Sequence, residues 1–527
     1  MEGMSEGPFS VCVWRCGCEH PDPASLGGAS VLASVATADF EAVLCGGPAL
    51  EHRCTATTIE AVDGACRPGA VYARVRLTLP SPKSSSKDKE ENKTEVVAVC
   101  DRDALGGVGL LCCAACDWLL LTTAALPPLP EGVRVHDVSP RSTTTCTLGA
   151  GPAAVEPGAP EPERAVSTWL GGGRPSALIA PEDDANPVPA EALVAEGDCA
   201  RLLAALEGAV RTQLARPPVA RRVAAQRAVR VLFSGGLDSA VVAAVLARTL
   251  PSDVAVHLIN VAFEHGDGSE GVFEAAPDRV SGRASLADLQ HAFPERAWHF
   301  HAVDVPRAVA SAALPHVLAL LRPSDTHMDA SIGLALWFAA KHNVFSPHHQ
   351  DENGREQEEQ GREDQVPSQA PPPLFLGQGA DEQFAGYMRF RHDFLEGGWE
   401  GLEAALAADM ERLWARNLGR DGRVLGACGT PAACACCPFL EPALCAHVAR
   451  VPLWRVADLR LPPGTGDKRL LRTLAAQLGL AHAAPLAKRA IQFGSRVARL
   501  LTDGQSCSRR EARSCGASKF PSPSSMS

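Results

Sequence analysis

No apolar run in the 527 residues reaches the roughly 20 that a membrane-spanning helix needs, and no basic stretch followed by an apolar core opens the chain. A cytoplasmic protein with no membrane partner is the expectation. Positive charge is also short. The 50 Lys and Arg against 61 Asp and Glu leave a formal net charge of −11 at pH 7, so a non-specific nucleic-acid partner, which needs a cationic surface, is not expected. The 19 cysteines form no even framework of the kind that staples small secreted domains. Their densest group, Cys428, Cys434, Cys436, Cys437 and Cys445, lacks the two C-x-x-C knuckles of a zinc site. His299 and His301 flank Phe300 in a strand-like run and read as neighbours on one strand face.

What is present is a loop suited to phosphate. An apolar β-type run, residues 231–233, enters Ser234-Gly235-Gly236-Leu237-Asp238-Ser239 and leaves through the apolar helical pattern of residues 240–246. Gly235 and Gly236 allow a sharp turn and close approach to a ligand. The helix that follows begins with unpaired N–H groups and a positive dipole end, which suit an anion. Ser234 and Ser239 add hydroxyl donors. Asp238 would repel a bare phosphate and reads as a ligand for Mg²⁺ riding on it. The Gly-Lys-Ser/Thr ending of a Walker loop and the G-x-G-x-x-G spacing of a dinucleotide fold are both missing.

A second strand-like run, Leu374-Phe375-Leu376, leads into Gly377-Gln378-Gly379-Ala380-Asp381-Glu382, where two glycines flank one residue ahead of an acidic pair. The geometry again allows close backbone approach beside a metal ligand. In this order the two motifs resemble the asparagine synthetases of the ATP pyrophosphatase superfamily, whose second loop reads roughly GEGSDEVFGGY. Further blocks are similar: residues 257–263 (HLINVAF), Pro277-Asp278-Arg279, residues 324–340, 416–426 (RNLGRDGRVLG), Pro438-Phe439-Leu440, 468–472 (KRLLR) and 488–495 (KRAIQFGS).

The resemblance implies an α/β fold with a mostly parallel sheet and helices on both faces. It places ATP with its phosphates over residues 234–239, its base near Phe233, Val261 and Leu376, and Gly377 close to the nucleotide. Mg²⁺ would bridge Asp238 and Asp381, and Lys488, or else Lys468, would offset charge on the transferring phosphate. The implied reaction joins aspartate, ATP and ammonia through an aminoacyl adenylate, giving asparagine, AMP and pyrophosphate. Two departures leave alternatives open. Gln378 stands where the family has a glutamate credited with handling ammonia, and an amide is no base at neutral pH. If only a proton acceptor is missing, Gln378→Glu is expected to restore synthesis. Asp329 falls where a family arginine holds the substrate carboxylate, turning attraction into repulsion. A non-catalytic ATP-binding protein, or an enzyme that adenylates a different carboxylate, shares the same loops. The sequence points to no protein partner.

The N-terminal part resembles a truncated, β-rich class II glutamine amidotransferase domain. Residues 95–121 alternate apolar strands around Asp101-Arg102-Asp103-Ala104-Leu105-Gly106, read as a hairpin turn, with residues 7–14 as the preceding strand. The chain opens Met1-Glu2-Gly3-Met4, without the N-terminal cysteine that such glutaminases use. Cys12, Cys16 and Cys18 read as small apolar residues, so glutaminase activity is not expected. The expected organisation is an amidotransferase-like domain over residues 1–125, a Pro- and Gly-rich linker over 126–195, an ATP-binding domain over 196–502 and a Ser- and Arg-rich tail over 503–527. Residues 81–94 and 346–373 are charged and apolar-poor, and read as insertions that burial cannot order.

Overall fold

The computed structural model describes twelve strands between Phe9 and Pro157, and then residues 174–181, 186–265, 271–345, 370–413, 417–430 and 434–502. Residues 81–94 and 503–527, most of the 346–373 insertion, and Cys16, Cys18 and Arg416 lie outside the described residues.

The N-terminal strands form two six-stranded sheets paired antiparallel throughout. Val96–Arg102 pairs with Tyr72–Thr78 and Thr144–Leu148, whereas Leu111–Ala114 pairs with Trp118–Thr122 and Arg134–Asp137 in the other sheet. Val96–Arg102 and Leu111–Ala114 therefore lie in different sheets and do not pair with each other as a hairpin, contrary to the sequence expectation. Arg134–Asp137, Thr144–Leu148 and Ala154–Pro157 also fall within the span expected to be a linker. Each is short and bounded by turn residues, so its strand signal is weak until a partner strand is supplied.

The second half is built on a five-stranded sheet. Its order is Trp298–Val305, Ala255–Phe263, Ala228–Leu232, Leu374–Phe375, Ala435–Cys436, and every neighbouring pair is parallel. Residue alternation fills both faces, as a parallel sheet covered by helices requires. Val229, Val231, Phe233, Val256, Leu258 and Phe375 pack on one side with the helices Asp198–Leu214 and Leu237–Thr249. On the other side Ile259, Val261, Phe263, Leu374 and Leu376 pack with Arg307–Leu321 and His327–Lys341. His299 and His301 lie within one strand, and both rings stack on His257 of the neighbouring strand, at 4.7 and 5.1 Å between centroids.

The chain order of these strands reverses direction between Ala228–Leu232 and Leu374–Phe375. Loops leaving such a pair diverge to opposite faces and open a crevice at the carboxyl ends of the strands. Both Gly-rich loops leave from this pair. A buried cation fixes the pair from behind: Arg230 donates to Pro372 O at 3.0 Å, Ala340 O at 2.8 Å and Thr430 Oγ1 at 2.6 Å. Arg230→Ala should lower the urea midpoint of this half of the chain, with a loss of about 2–5 kcal/mol, the scale for emptying a large buried site. Urea denaturation followed by tryptophan fluorescence checks this, and an unchanged midpoint would show that the three contacts do not hold the crevice.

Candidate active site

The first loop is held in a shape only glycine permits. Gly235 has φ +73°, and a Cβ there would stand 2.3 Å from the backbone of Ser281 and Gly282. The helix Pro277–Ala292 thus presses directly on the loop. It also supplies donors: Ser281 Oγ donates to Ser234 O at 2.9 Å, and Ser285 Oγ to Gly235 O at 2.7 Å. Asn260 Nδ2 donates to Phe233 O at 2.8 Å. Three successive carbonyl oxygens that would repel a phosphate are each occupied by a donor. Gly236 N donates to Ser234 Oγ at 3.2 Å, and Ser239 Oγ donates to Gly236 O at 3.1 Å.

The second loop packs on the first. A Cβ on Gly377 would stand 2.9 Å from Asp238 Cβ, and Gly379, at φ +93°, lies against Leu440. The short helix Ala380–Gln383 then delivers Asp381 to Asp238. Lys468 joins them: its Nζ lies 2.6 Å from both Asp238 carboxylate oxygens and 2.6 Å from Asp381 Oδ1. Lys488 Nζ pairs with Asp381 Oδ2 and lies 3.6 Å from Asp238 Oδ2. Burial would raise the Asp381 carboxyl, but the two lysines outweigh it and hold it at about 2. Burial likewise opposes the charge on Lys488, and Asp381 and Asp238 overcome that and push it upward. Both lysines expected from the sequence therefore meet both aspartates.

This tetrad borders a cavity of about 370 Å³, within the roughly 300–1,000 Å³ common for small-molecule sites. Phe233, Ser234, Asp238, Ser239, Val261, Leu376, Gly377, Gln378, Asp381 and Lys488 all line it. Lys468 and Gly236 line an adjoining recess of about 120 Å³ that shares Ser234, Asp238, Ser239 and Lys488. Gly235 lines neither and acts through the loop's shape.

At the far wall the structure supplies a partner that the sequence did not show. Asp329 does not face the cavity as a bare charge. Its carboxylate pairs with Arg420 and accepts from Thr326 Oγ1 at 2.5 Å, while Asp329 N donates to Thr326 Oγ1 at 3.1 Å. Arg420 Nε also donates to Asp421 Oδ1 at 2.7 Å, and Asp421 Oδ2 accepts from Gln378 Nε2. Matching positions along the sequence located Asp329 but could not supply its partner. Arg420 and Asp421, both buried in the helix Gly419–Ala427, lay inside a block noted for resemblance alone. A charged pair on the inner face of an amphipathic helix was the available signal.

Asp278 was likewise noted only for its place in a block. It is buried, lines both the cavity and the recess, and a Cβ on Gly494 would stand 1.9 Å from its Oδ1. Burial pushes its carboxyl up to about 7, against the pull of Arg489 and Lys488.

Two predictions follow from these environments. A carboxyl whose folded pKa is raised contributes its stability below the unfolded value, about 3.9, and loses it as pH rises towards the folded value. Asp278→Asn should therefore match the parent near pH 4, gain on it up to about pH 7 and hold a constant lead above that, roughly 2–4 kcal/mol. Denaturation midpoints from pH 4 to 8 test this, and a pH-independent difference would contradict it. Gln378→Glu sets a second carboxylate against Asp421, so it should destabilise the chain by about 1–3 kcal/mol at pH 7.5 and less at pH 5. Melting temperatures at the two pH values decide whether that repulsion is real.

Comparison with known proteins finds relatives for this half of the chain. Residues 209–312 match the family model for asparagine synthase. The chain is 36% identical over 320 residues to asparagine synthetase domain-containing protein 1 of Mus musculus, covering 54% of this chain and 48% of that protein. It is 35% identical over 307 residues to the Homo sapiens protein of the same name, covering 52% and 45%. It is 31% identical over 285 residues to asparagine synthetase domain-containing protein YML096W of Saccharomyces cerevisiae, covering 52% and 49%. The chain thus spans about half the length of these relatives. Among the described residues no helix is long and apolar enough to cross a membrane. The residues matched by the family model lie within the parallel-sheet half of the chain.

Proposed function

We propose that the chain is an ATP-dependent, AMP-forming ligase that activates a carboxylate as an acyl adenylate and passes the acyl group to a nitrogen nucleophile. The reference reaction is the synthesis of asparagine from aspartate and ammonia. The observation that carries the reading is the convergence of both Gly-rich loops, Asp238, Asp381, Lys468 and Lys488 on one cavity at the switch point of the sheet.

ATP would lie with its base between Phe233, Val261 and Leu376 and its phosphates at the N-terminus of the Leu237–Thr249 helix. A substrate carboxylate oxygen then attacks the α-phosphorus, forming the acyl–phosphate bond as the bond to pyrophosphate breaks. Lys468 and Lys488 stand where charge grows on the departing pyrophosphate. Pre-set cations need no reorganisation during that step. The attacking nitrogen next forms the C–N bond, AMP leaves with the electron pair of the acyl–oxygen bond, and the nitrogen's proton passes to solvent or buffer.

The donor set fits Mg²⁺. Asp238 and Asp381 approach a single ammonium at 2.6 Å each, so their oxygens converge, and Mg²⁺ is ordinarily held by one or two carboxylates with phosphate oxygens and water. When bound with ATP, the ion would neutralise phosphate charge and orient the phosphate chain. The N-terminal antiparallel sheets are read, as part of the same proposal, as an amidotransferase-like domain that does not itself hydrolyse glutamine. Cytoplasmic placement belongs to the proposal too.

Wild-type protein should bind MgATP and release pyrophosphate when supplied with an acceptor carboxylate and ammonium. Lys468→Ala and Lys488→Ala should each lower the release rate by about 10²–10³, the loss typical for one preorganised electrostatic group. Asp238→Ala should weaken MgATP binding. Calorimetry and a coupled pyrophosphate assay measure these quantities. MgATP binding without pyrophosphate release from any acceptor would make the chain a non-catalytic nucleotide binder, and absence of MgATP binding would overturn the proposal entirely.

A further inference from the structure

Beyond the nucleotide, the cavity wall is made by Gln378, Tyr387, Arg389, Asn417, Arg420 and Asp421. This is where an acceptor molecule must sit, because the loops and the tetrad occupy the phosphate end. Its charge is unusual for a site meant to take a dicarboxylate. Arg420 is 1% exposed and holds two carboxylates at once, Asp329 and Asp421, themselves 7% and 2% exposed. One guanidinium against two carboxylates leaves a net negative charge in a buried place.

Among the described residues Arg489 also lines the cavity, but at the other end, beside Asp278, Lys468 and Lys488, and the arginines nearest the wall are engaged elsewhere. Arg389 pairs with Asp409 and lies over the Tyr387 ring at 4.3 Å. Asp409 is shared with Arg412 at 2.6 Å, and Glu382 accepts from Tyr387 Oη at 2.7 Å. Those two arginines and two carboxylates balance. Arg423, one turn along from Arg420, is turned away to donate to Leu320 O and Leu321 O. Lys488 belongs to the tetrad at the other end.

Gln378 adds direction to the charge. Its amide N–H is given to Asp421, while its Oε1 accepts from Cys437 Sγ at 3.6 Å. Burial pushes the Cys437 thiol up to about 12, so it stays a neutral donor. An amide oxygen has a second lone pair, and a carboxylate has more than the two acceptor positions already filled on Asp421. What the wall offers a ligand is therefore acceptors beside uncompensated negative charge. An ammonium group satisfies both, whereas a second carboxylate meets repulsion that the low dielectric strengthens.

Given the ligase reading above, on which this rests, we infer that the acceptor carries one carboxylate and an ammonium group, with the ammonium against Asp421 and Gln378 Oε1, and that an additional carboxylate is rejected. The same subsite is open to a free amine acting as nucleophile, since the chemistry recognised is the ammonium itself.

A matched set of small acids tests this on the full chain saturated with Mg²⁺ and α,β-methylene-ATP. β-Alanine has one carboxylate and an ammonium, aspartate adds a second carboxylate to the same skeleton, and succinate keeps both carboxylates without the ammonium. Calorimetry should give β-alanine at least tenfold tighter binding than aspartate, with succinate weakest. Asp329→Asn releases half of the load on Arg420 and should narrow the β-alanine to aspartate ratio at least threefold. The wild-type ratio decides the matter even where that variant fails to fold. Displacement of β-alanine by methylammonium would support the subsite and assign it to a free amine nucleophile, and its failure to displace would support the acceptor's own ammonium as the occupant. Aspartate or succinate binding as tightly as β-alanine, or none of the probes binding, would overturn the inference. β-Alanine selectivity without pyrophosphate release from ATP would sink the ligase reading and leave the charge selection standing; release driven best by aspartate would do the reverse.

Discussion

The site depends on one ammonium group. Lys468 Nζ lies between Asp238 and Asp381, which arrive from two loops far apart in the chain. Without a cation there, two carboxylates brought together out of water would repel and push the loops apart. The backbone has given way to put the lysine in place: Lys468 sits at φ +52°, a conformation costly for a residue with a Cβ, and its N–H donates to Phe384 O at 2.8 Å. Gly386 is part of the same arrangement, since a Cβ there would stand 2.1 Å from Asp381 Oδ1 and 2.2 Å from Lys468 Cε. Strain and a missing side chain cluster around one ion pair because the crevice closes through it.

That closure also sets a division of charge along the cavity. At the end lined by the tetrad two lysines face two aspartates, and burial pushes the Asp278 carboxyl up to about 7, which lessens its negative charge near neutral pH. The far end is made of one arginine between two aspartates and is negative. The residues 377–381 touch both ends, with Gly377 against Asp238 and Gln378 against Asp421. Movement of this loop on nucleotide binding would therefore be felt by Asp421 through a single hydrogen bond.

Much of this was legible in the sequence where a local requirement leaves one residue type. Gly235 at positive φ against a helix backbone can only be glycine, and the two loops announce themselves for that reason. The parallel sheet followed from the same loops, because each sits at the end of a buried apolar strand. Side-chain partners were less legible. Asp329 read as a repulsive charge with no partner named, since its neighbour Arg420 is brought to it by the packing of one helix on another. The strand Val96–Arg102 read as half of a hairpin because alternation reveals a strand and not the strand it pairs with. Proline and glycine between residues 126 and 195 suggested a linker, yet edge positions and strand ends tolerate both, and three short strands pair there.

Gln378 shows why the identity of a residue must be read with its neighbours. Taken alone, an amide in place of a glutamate is a lost base. Beside Asp421 it is the residue that lets a carboxylate stay in the wall, since a glutamate at 378 would face that carboxylate across the hydrogen bond the amide now donates. The negative charge of the wall lies on the helix Gly419–Ala427, where Arg420 is shared between Asp421 and Asp329. The tetrad of Asp238, Asp381, Lys468 and Lys488 lies at the other end of the cavity, and the charges of the two ends sit on different helices and loops except where residues 377–381 reach both.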